Sequence, residues 1–251
     1  NIIHLHWIEY FIRSKGLLPS FLKASMFISG LLCLKLLGKK VVITLHNIKP
    51  HESLHPRLEH IGFKSCLHIA NAAIVHNEYS KRETLALYKI ADWKVHIIPH
   101  GNFVSYYPNI IGKEKARQLL KIPKNKFVTL CFGMIRPYKG LNDLISALDD
   151  ILTRQKDTVA IICGRAQGKN LETDLLRFSA KFSETCITKL EYVPDDEVQI
   201  FMNAADVGIL PYKDISTSGA LMLFMSFQKP IIVPNLEPIR EMLGENGIYF
   251  K

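Results

Sequence analysis

At 251 residues, 48% hydrophobic and 22% charged, the chain has the balance of a globular protein with room for two domains, and a disordered or fibrous class is excluded. No apolar run reaches bilayer length: the best, Ala24 to Leu34, is closed by Lys23 and Lys35, covers about half that thickness, and is expected to be a buried core helix. The net charge of +9 is uneven: residues 1–105 carry +7 (13 Lys/Arg against 6 Asp/Glu) and residues 106–251 carry +2 (19 against 17). A basic first half fits an anionic partner such as nucleic acid, a phospholipid surface or a phosphorylated substrate.

In chain order, NIIHLHW alternates as a strand does, with no methionine, leader or turn before it. At least one further strand is expected upstream, so the chain reads as a fragment. A helix is predicted over Gly16–Leu37 and a buried strand over Lys40–Leu45, ending at His46-Asn47 and followed by the loop IKPHESLHP. Next come a helix over Ile61–Ala72, a strand at Ala73–His76, a helix at Lys81–Lys89 and a strand at Lys94–Ile98. The Asn-, Pro- and Gly-bearing segment 102–112 breaks the pattern. It sets domains of 1–105 and 106–251.

The second half opens with a helix at Lys113–Leu120, a strand at Phe127–Phe132 and a helix from Gly140 whose apolar residues share a 3.6-residue face. The remaining strands are predicted at Val159–Cys163, Lys189–Val193, Val207–Leu210 and Pro230–Val233. The helices between and after them are predicted at Leu171–Phe182, Glu197–Ala204, Thr217–Phe227 and Glu237–Leu243. Strict alternation of strands with helices argues for an α/β fold with a doubly wound parallel sheet in each half. Cys33, Cys66, Cys131, Cys163 and Cys186 show no CxxC spacing, and two of them sit in apolar runs. They read as reduced structural thiols in a cytoplasmic protein.

Three constellations carry chemistry. After the strand Phe127–Phe132, Gly133 makes a tight turn, and Arg136 and Lys139 lie between it and the next helix, where unpaired amides and the dipole favour an anion. In PYKDISTSGALMLFMSFQKP, Ser216 reads as the N-cap, and Thr217, Ser218, Gly219 and Ala220 as the first turn of a second anion-binding helix start. Two such sites in one α/β domain point to a diphosphate. Third, His46 ends a parallel strand, where ligands bind, and is followed by His51 and Glu52. Neither HExxH nor a cysteine pair is present, and Asp149-Asp150 and Asp195-Asp196 read as solvated charges or caps, so no metal site is expected.

Together, TLHN...PHE, IIPHGN, FGMIRPYKG, AIICG, ADVGILPY and STSGAL...KP resemble the retaining sugar-nucleotide glycosyltransferases of family four, the group 1 type, from Ile2 to about Ile248. The resemblance implies a GT-B fold: two Rossmann-like domains facing across a cleft, the acceptor on the first and the nucleotide sugar mainly on the second. It also implies that the chain lacks the family's Gly-rich first strand and its closing helices. His46 falls on the family's cleft histidine, expected to contact the transferring sugar, and Lys139 on its diphosphate-binding lysine. The family's arginine falls on Met134, and Arg136 stands in for it. Of the family's two glutamates eight apart, the positions hold Ile215 and Leu223; Asp214 replaces the first, and nothing replaces the second, which holds the ribose.

The implied activity is that of a hexosyltransferase. It moves a sugar from a UDP- or GDP-linked donor, as co-substrate and without a cofactor, to a glycan or lipid-linked acceptor hydroxyl in polysaccharide or glycolipid assembly. Retention is expected by same-face substitution, the leaving phosphate taking the acceptor proton, while Arg136, Lys139 and the amides of Thr217 to Gly219 stabilise the departing charge. Base selectivity is assigned to loops near Gly164 and Tyr192. The basic first half adds an anionic membrane partner and a peripheral place at the inner face of the plasma membrane. The alternative is a non-catalytic sugar-nucleotide- or partner-binding module, motivated by Met134 and Leu223. A pI near 9.2 alone argues for nucleic acid, and without RNP, KH or zinc patterns it is not expected.

Overall fold

The computed structural model describes residues 1–48 and 53–251. It divides into two compact units, Asn1–His100 and Gly101–Lys251. In the first unit β1 (Ile2–His6), β2 (Lys40–Thr44), β3 (Ala72–Val75) and β4 (Val95–Ile97) form a parallel sheet in the order β1-β2-β3-β4. The helices are α1 (Glu9–Ile12), α2 (Leu17–Leu36), α3 (Pro56–Ile69) and α4 (Glu78–Tyr88). Val41 and Ile43 of β2 pack with Ile8, Ile12, Ala24, Leu31, Phe63 and Leu67 in one core.

The two middle helices depart from expectation. α3 begins well before Ile61, because Pro56 takes the first helical position, where its missing N–H costs nothing. The buried Glu59 carboxylate then accepts the amides of Leu54 (2.9 Å) and His55 (3.0 Å) and pairs with Arg13 at 2.8 Å. α2 is not the core helix expected. Its apolar sequence runs past Lys23 back to Leu17, so it is long and apolar enough to cross a bilayer by length and composition alone. Yet only Ser20, Ala24 and Leu31 are buried, while Leu18 (67% exposed), Met26 (75%) and Leu36 (87%) face outward.

In the second unit α5 (Lys113–Leu119) leads into β5 (Phe127–Phe132), α6 (Leu141–Arg154), β6 (Thr158–Cys163), α7 (Lys169–Lys181) and β7 (Cys186–Lys189). Then follow α8 (Val198–Ala204), β8 (Val207–Ile209), α9 (Gly219–Ser226), β9 (Ile231–Pro234), α10 (Glu237–Leu243) and β10 (Ile248–Phe250). The sheet is parallel, in the order β10-β9-β8-β5-β6-β7. Every residue of β6 is buried, because both faces are covered. Val159, Ile161 and Cys163 join the core of α5, α8, α9 and α10, while Ala160 and Ile162 join that of α6 and α7.

β7 lies earlier than the predicted Lys189–Val193, because its partner β6 ends at Cys163, which pairs with Lys189; later residues have nothing to pair with. The strand β10 was not predicted. Arg117, buried on α5, ties the unit's centre together: it pairs with Asp206 at 2.6 Å and donates to the carbonyls of Ala204, Lys124 and Lys126. The same Asp206 carboxylate accepts the Val128 amide at 2.7 Å, fixing the start of β5.

Candidate active site

From β5 the chain builds toward β6 and β7 on one side, then returns to place β8 on the other. This reversal opens a crevice at the carboxyl ends of β5 and β8, the ligand position of doubly wound sheets. A small cavity there is lined by Gly133, Met134, Arg136 and Lys139 after β5 and by Pro211 and Tyr212 after β8. The loop is held by short backbone contacts. Gly140 has φ +72° and a side chain there would meet the Pro211 carbonyl oxygen at 1.8 Å; Gly164 has φ +129° and would meet that of Gly133 at 2.1 Å. Gly164 is therefore explained by packing against Gly133.

Lys139, half-buried in a short 3-10 turn (Pro137–Lys139), has no carboxylate partner among the described residues. A methyl group on Gly133 would lie 3.9 Å from its Nζ and 3.5 Å from Cβ of Ala220, in the first turn of α9. The ammonium also lies 5.6 Å from the centre of the Tyr212 ring. Burial pushes its pKa below the usual lysine range, the sign of an uncompensated cation. The Arg136 Nε is 3.0 Å from the Met134 sulfur, so the guanidinium lies beside the residue occupying the family's arginine position. It too has no ion pair among the described residues.

Around α9 the cap differs from expectation. Ser218, not Ser216, is the N-cap, extended at φ −142°, and its hydroxyl accepts the Leu221 amide at 3.1 Å and meets the Tyr212 hydroxyl at 2.6 Å. Thr217 and Ser218 therefore precede the helix, and Gly219 is its first residue. The Ser218 hydroxyl is consumed by the cap. The Thr217 hydroxyl is buried with no hydrogen-bond partner. Asp214 is exposed in the preceding segment. Leu223, 5% exposed, and Ile215 both pack in the core, so neither glutamate position of the resemblance presents a polar group. Tyr192 is exposed beyond β7, its hydroxyl donating to Asp195 at 2.9 Å, and it does not line this small cavity.

In the first unit the carboxyl ends of all four strands carry histidines. His46 Nε2 is 2.9 Å from His6 Nδ1, and its Nδ1 is 3.4 Å from His76 Nε2. The His76 Nδ1 lies 2.9 Å from the Ile98 carbonyl oxygen, and His4 Nε2 lies 2.7 Å from the Thr44 hydroxyl. Trp7 stacks on His46 at 4.5 Å, and His100 lies 5.5 Å from His76 between ring centres. Burial, and then the neighbouring imidazoles, lower the His46 pKa to about 4, so the ring is neutral at physiological pH. His76 was missed from sequence, although it follows the strand AAIV as His46 follows VVITL. His51 and Glu52 lie outside the described residues.

Residues 126–251 match the family described as Glycosyl transferases group 1, and residues 21–102 match Glycosyltransferase Family 4. The chain is 26% identical over 251 residues to a GDP-mannose:glycolipid 4-beta-D-mannosyltransferase of Xanthomonas campestris pv. campestris, covering 98% of this chain and 65% of that protein. It is also 26% identical over 187 residues to a D-inositol 3-phosphate glycosyltransferase of Corynebacterium glutamicum, covering 71% of this chain and 45% of that protein. The chain thus spans less than two thirds of either relative. Among solved structures, Anabaena Alr3699/HepE in complex with UDP and glucose matches with a TM-score of 0.75 at 18% identity, over 93% of this chain and 62% of that one. WaaG, described as a glycosyltransferase involved in lipopolysaccharide biosynthesis, matches at 0.68 and 14%, over 89% and 66%.

Proposed function

Because the chain belongs to the group 1 glycosyltransferases, with the GT-B fold, we infer that it forms the greater part of an enzyme transferring a hexosyl group from a UDP- or GDP-linked donor to an acceptor hydroxyl. One observation carries the donor assignment: Lys139 and Arg136 line the cavity at the switch point of the second unit with no carboxylate partner among the described residues. A diphosphate supplies the charge that this group of donors lacks. As the sugar leaves it, the negative charge growing on the phosphate oxygen is met by cations already in place, which lowers the barrier without rearrangement. Binding of UDP and UDP-glucose by the Anabaena structure supports a nucleotide-sugar donor.

The acceptor is a lipid-linked glycan or glycolipid at the anionic inner face of the plasma membrane, in polysaccharide or glycolipid assembly. The glycolipid in the name of the Xanthomonas relative supports this, as do the +7 charge of residues 1–105 and the exposed apolar face of α2, which has no acidic residue and is bordered by Lys15, Lys23, Lys35 and Lys39.

Retention, implied by the sequence resemblance, has the leaving phosphate take the acceptor proton. A second reading, inversion with a protein base, is favoured by the beta linkage in the Xanthomonas relative's name, since a β product from an α-linked donor is inverted. The anomeric coupling of the product separates the two. For the donor site, calorimetric titration of the full-length protein with UDP, GDP and ADP, repeated on Lys139→Ala, is decisive. Binding of one nucleotide that weakens at least tenfold, about 1.4 kcal/mol, supports the diphosphate site and names the base. No binding of any of the three to the folded protein would instead make it a non-catalytic module.

A further inference from the structure

The two sides of the small cavity meet in one side chain. Tyr212 follows Pro211 beyond the end of β8, is 3% exposed, and belongs to the core that includes Leu221 and Phe224 of α9. Its amide donates to the Leu210 carbonyl at 3.0 Å, which folds the chain back at the strand end. The next residue, Lys213, fastens the segment to the loop and helix after β5. Its amide donates to the Tyr138 carbonyl at 3.4 Å, and its ammonium pairs with Asp143 at 3.1 Å.

From this fixed place the Tyr212 side chain reaches in two directions. Its ring lies under the Lys139 ammonium, 5.6 Å from Nζ to the ring centre. Its hydroxyl lies 2.6 Å from that of Ser218, which accepts the Leu221 amide at 3.1 Å and caps α9. Burial raises the phenol pKa, so the hydroxyl stays neutral at physiological pH. A phenol ring turns about only two torsions, so a contact at each end leaves it little freedom. The ring also suits its neighbour. A carboxylate in its place would pair with Lys139, and a phosphate would have to displace it. An aromatic face steadies the ammonium and leaves its charge for a ligand. The start of α9 offers the second half of the site, since the first amides of a helix have no partner within it. A methyl group on Gly133 would touch both halves, at 3.9 Å from Lys139 Nζ and 3.5 Å from Ala220 Cβ.

We propose that Tyr212 is a positioning residue that sets the distance between Lys139 and the start of α9, so that the site takes two linked phosphates in preference to one. The proposal rests on the donor reading above. A diphosphate touches both the ammonium and the helix start, whereas a monophosphate reaches one of them. Loosening their spacing therefore falls on the second phosphate and spares the rest of the nucleotide.

The test is calorimetric titration of the full-length protein with UDP, UMP, GDP and GMP, using the base that the wild type binds. The wild type is expected to hold the diphosphate at least tenfold tighter than the monophosphate. Tyr212→Phe keeps the ring and removes the hydroxyl. It is expected to narrow that ratio at least threefold, with the monophosphate Kd within twofold of wild type. Ser218→Ala is expected to narrow the ratio at least as much, and Tyr212→Phe to add nothing to it in the double variant, because both remove the same bond. A ratio unchanged in Tyr212→Phe, an equal weakening of both nucleotides, or additive losses in the double variant overturns the inference while leaving the donor reading standing. A folded wild type that binds no nucleotide, or holds the diphosphate no tighter than the monophosphate, overturns the donor reading and this inference with it.

Discussion

Burial lowers the pKa of both His46 and Lys139, with different consequences. For Lys139 the cost is that of a buried ammonium with no carboxylate beside it among the described residues, a cost that an anionic ligand there would relieve. For His46 the cost falls on acid. Its pKa drops from 6.5 unfolded to about 4 folded, so between those values the unfolded chain binds more protons and stability falls as pH falls. Burial lowers His4 and His76 in the same direction. The urea midpoint is expected to be level above pH 6.5 and to fall from there toward pH 4, with a shallower fall in His46→Gln. An equal slope in wild type and variant would show that His46 does not carry this linkage.

At the scale of elements, the crevice after β5 is bounded by loops that have no room for bulkier residues at two positions. Gly140 and Gly164 have positive φ and sit where a methyl group would overlap a backbone oxygen, which cannot move without shifting a strand end. Gly164→Ala should cost about 3 kcal/mol or more, combining strain at that φ with the overlap, and lower Tm by several degrees. Gly168→Ala is the control, since it shares the positive φ but has open space around it. Equal losses in both would mean that φ alone matters and that close approach to Gly133 does not. The loop's cations were legible in the sequence because a basic strand–loop–helix joint has a recognisable pattern. The capping serine was not: Ser216, Thr217 and Ser218 are chemically interchangeable as caps. The backbone angle at Ser218 and its contact with Tyr212, several residues back, select among them.

At the scale of the whole molecule, the exposed face of α2 has the clearest consequence. Leu18, Leu22, Met26 and Leu36 follow a helical stripe bordered by lysines, a surface suited to the headgroup boundary of an anionic bilayer. Flotation with vesicles rich in phosphatidylglycerol should recover the full-length protein, and Leu22→Glu with Met26→Glu should abolish recovery while leaving Tm within a degree or two. Equal recovery on phosphatidylcholine vesicles would remove the anionic membrane from the account.

What the sequence determined by itself was the alternation of strands and helices, the parallel sheets that follow from it, and the cationic strand–loop–helix joint around Lys139. These reside in local periodicity and in residue types a few positions apart. Tertiary structure decided the rest, because it depends on which strand ends become neighbours. It buried Leu223 where the resemblance implies a glutamate, ended β7 where its partner β6 stops, and turned α2 outward instead of into the core. It also gathered His6, His46 and His76 from three separate strands, and no spacing along the chain records that meeting.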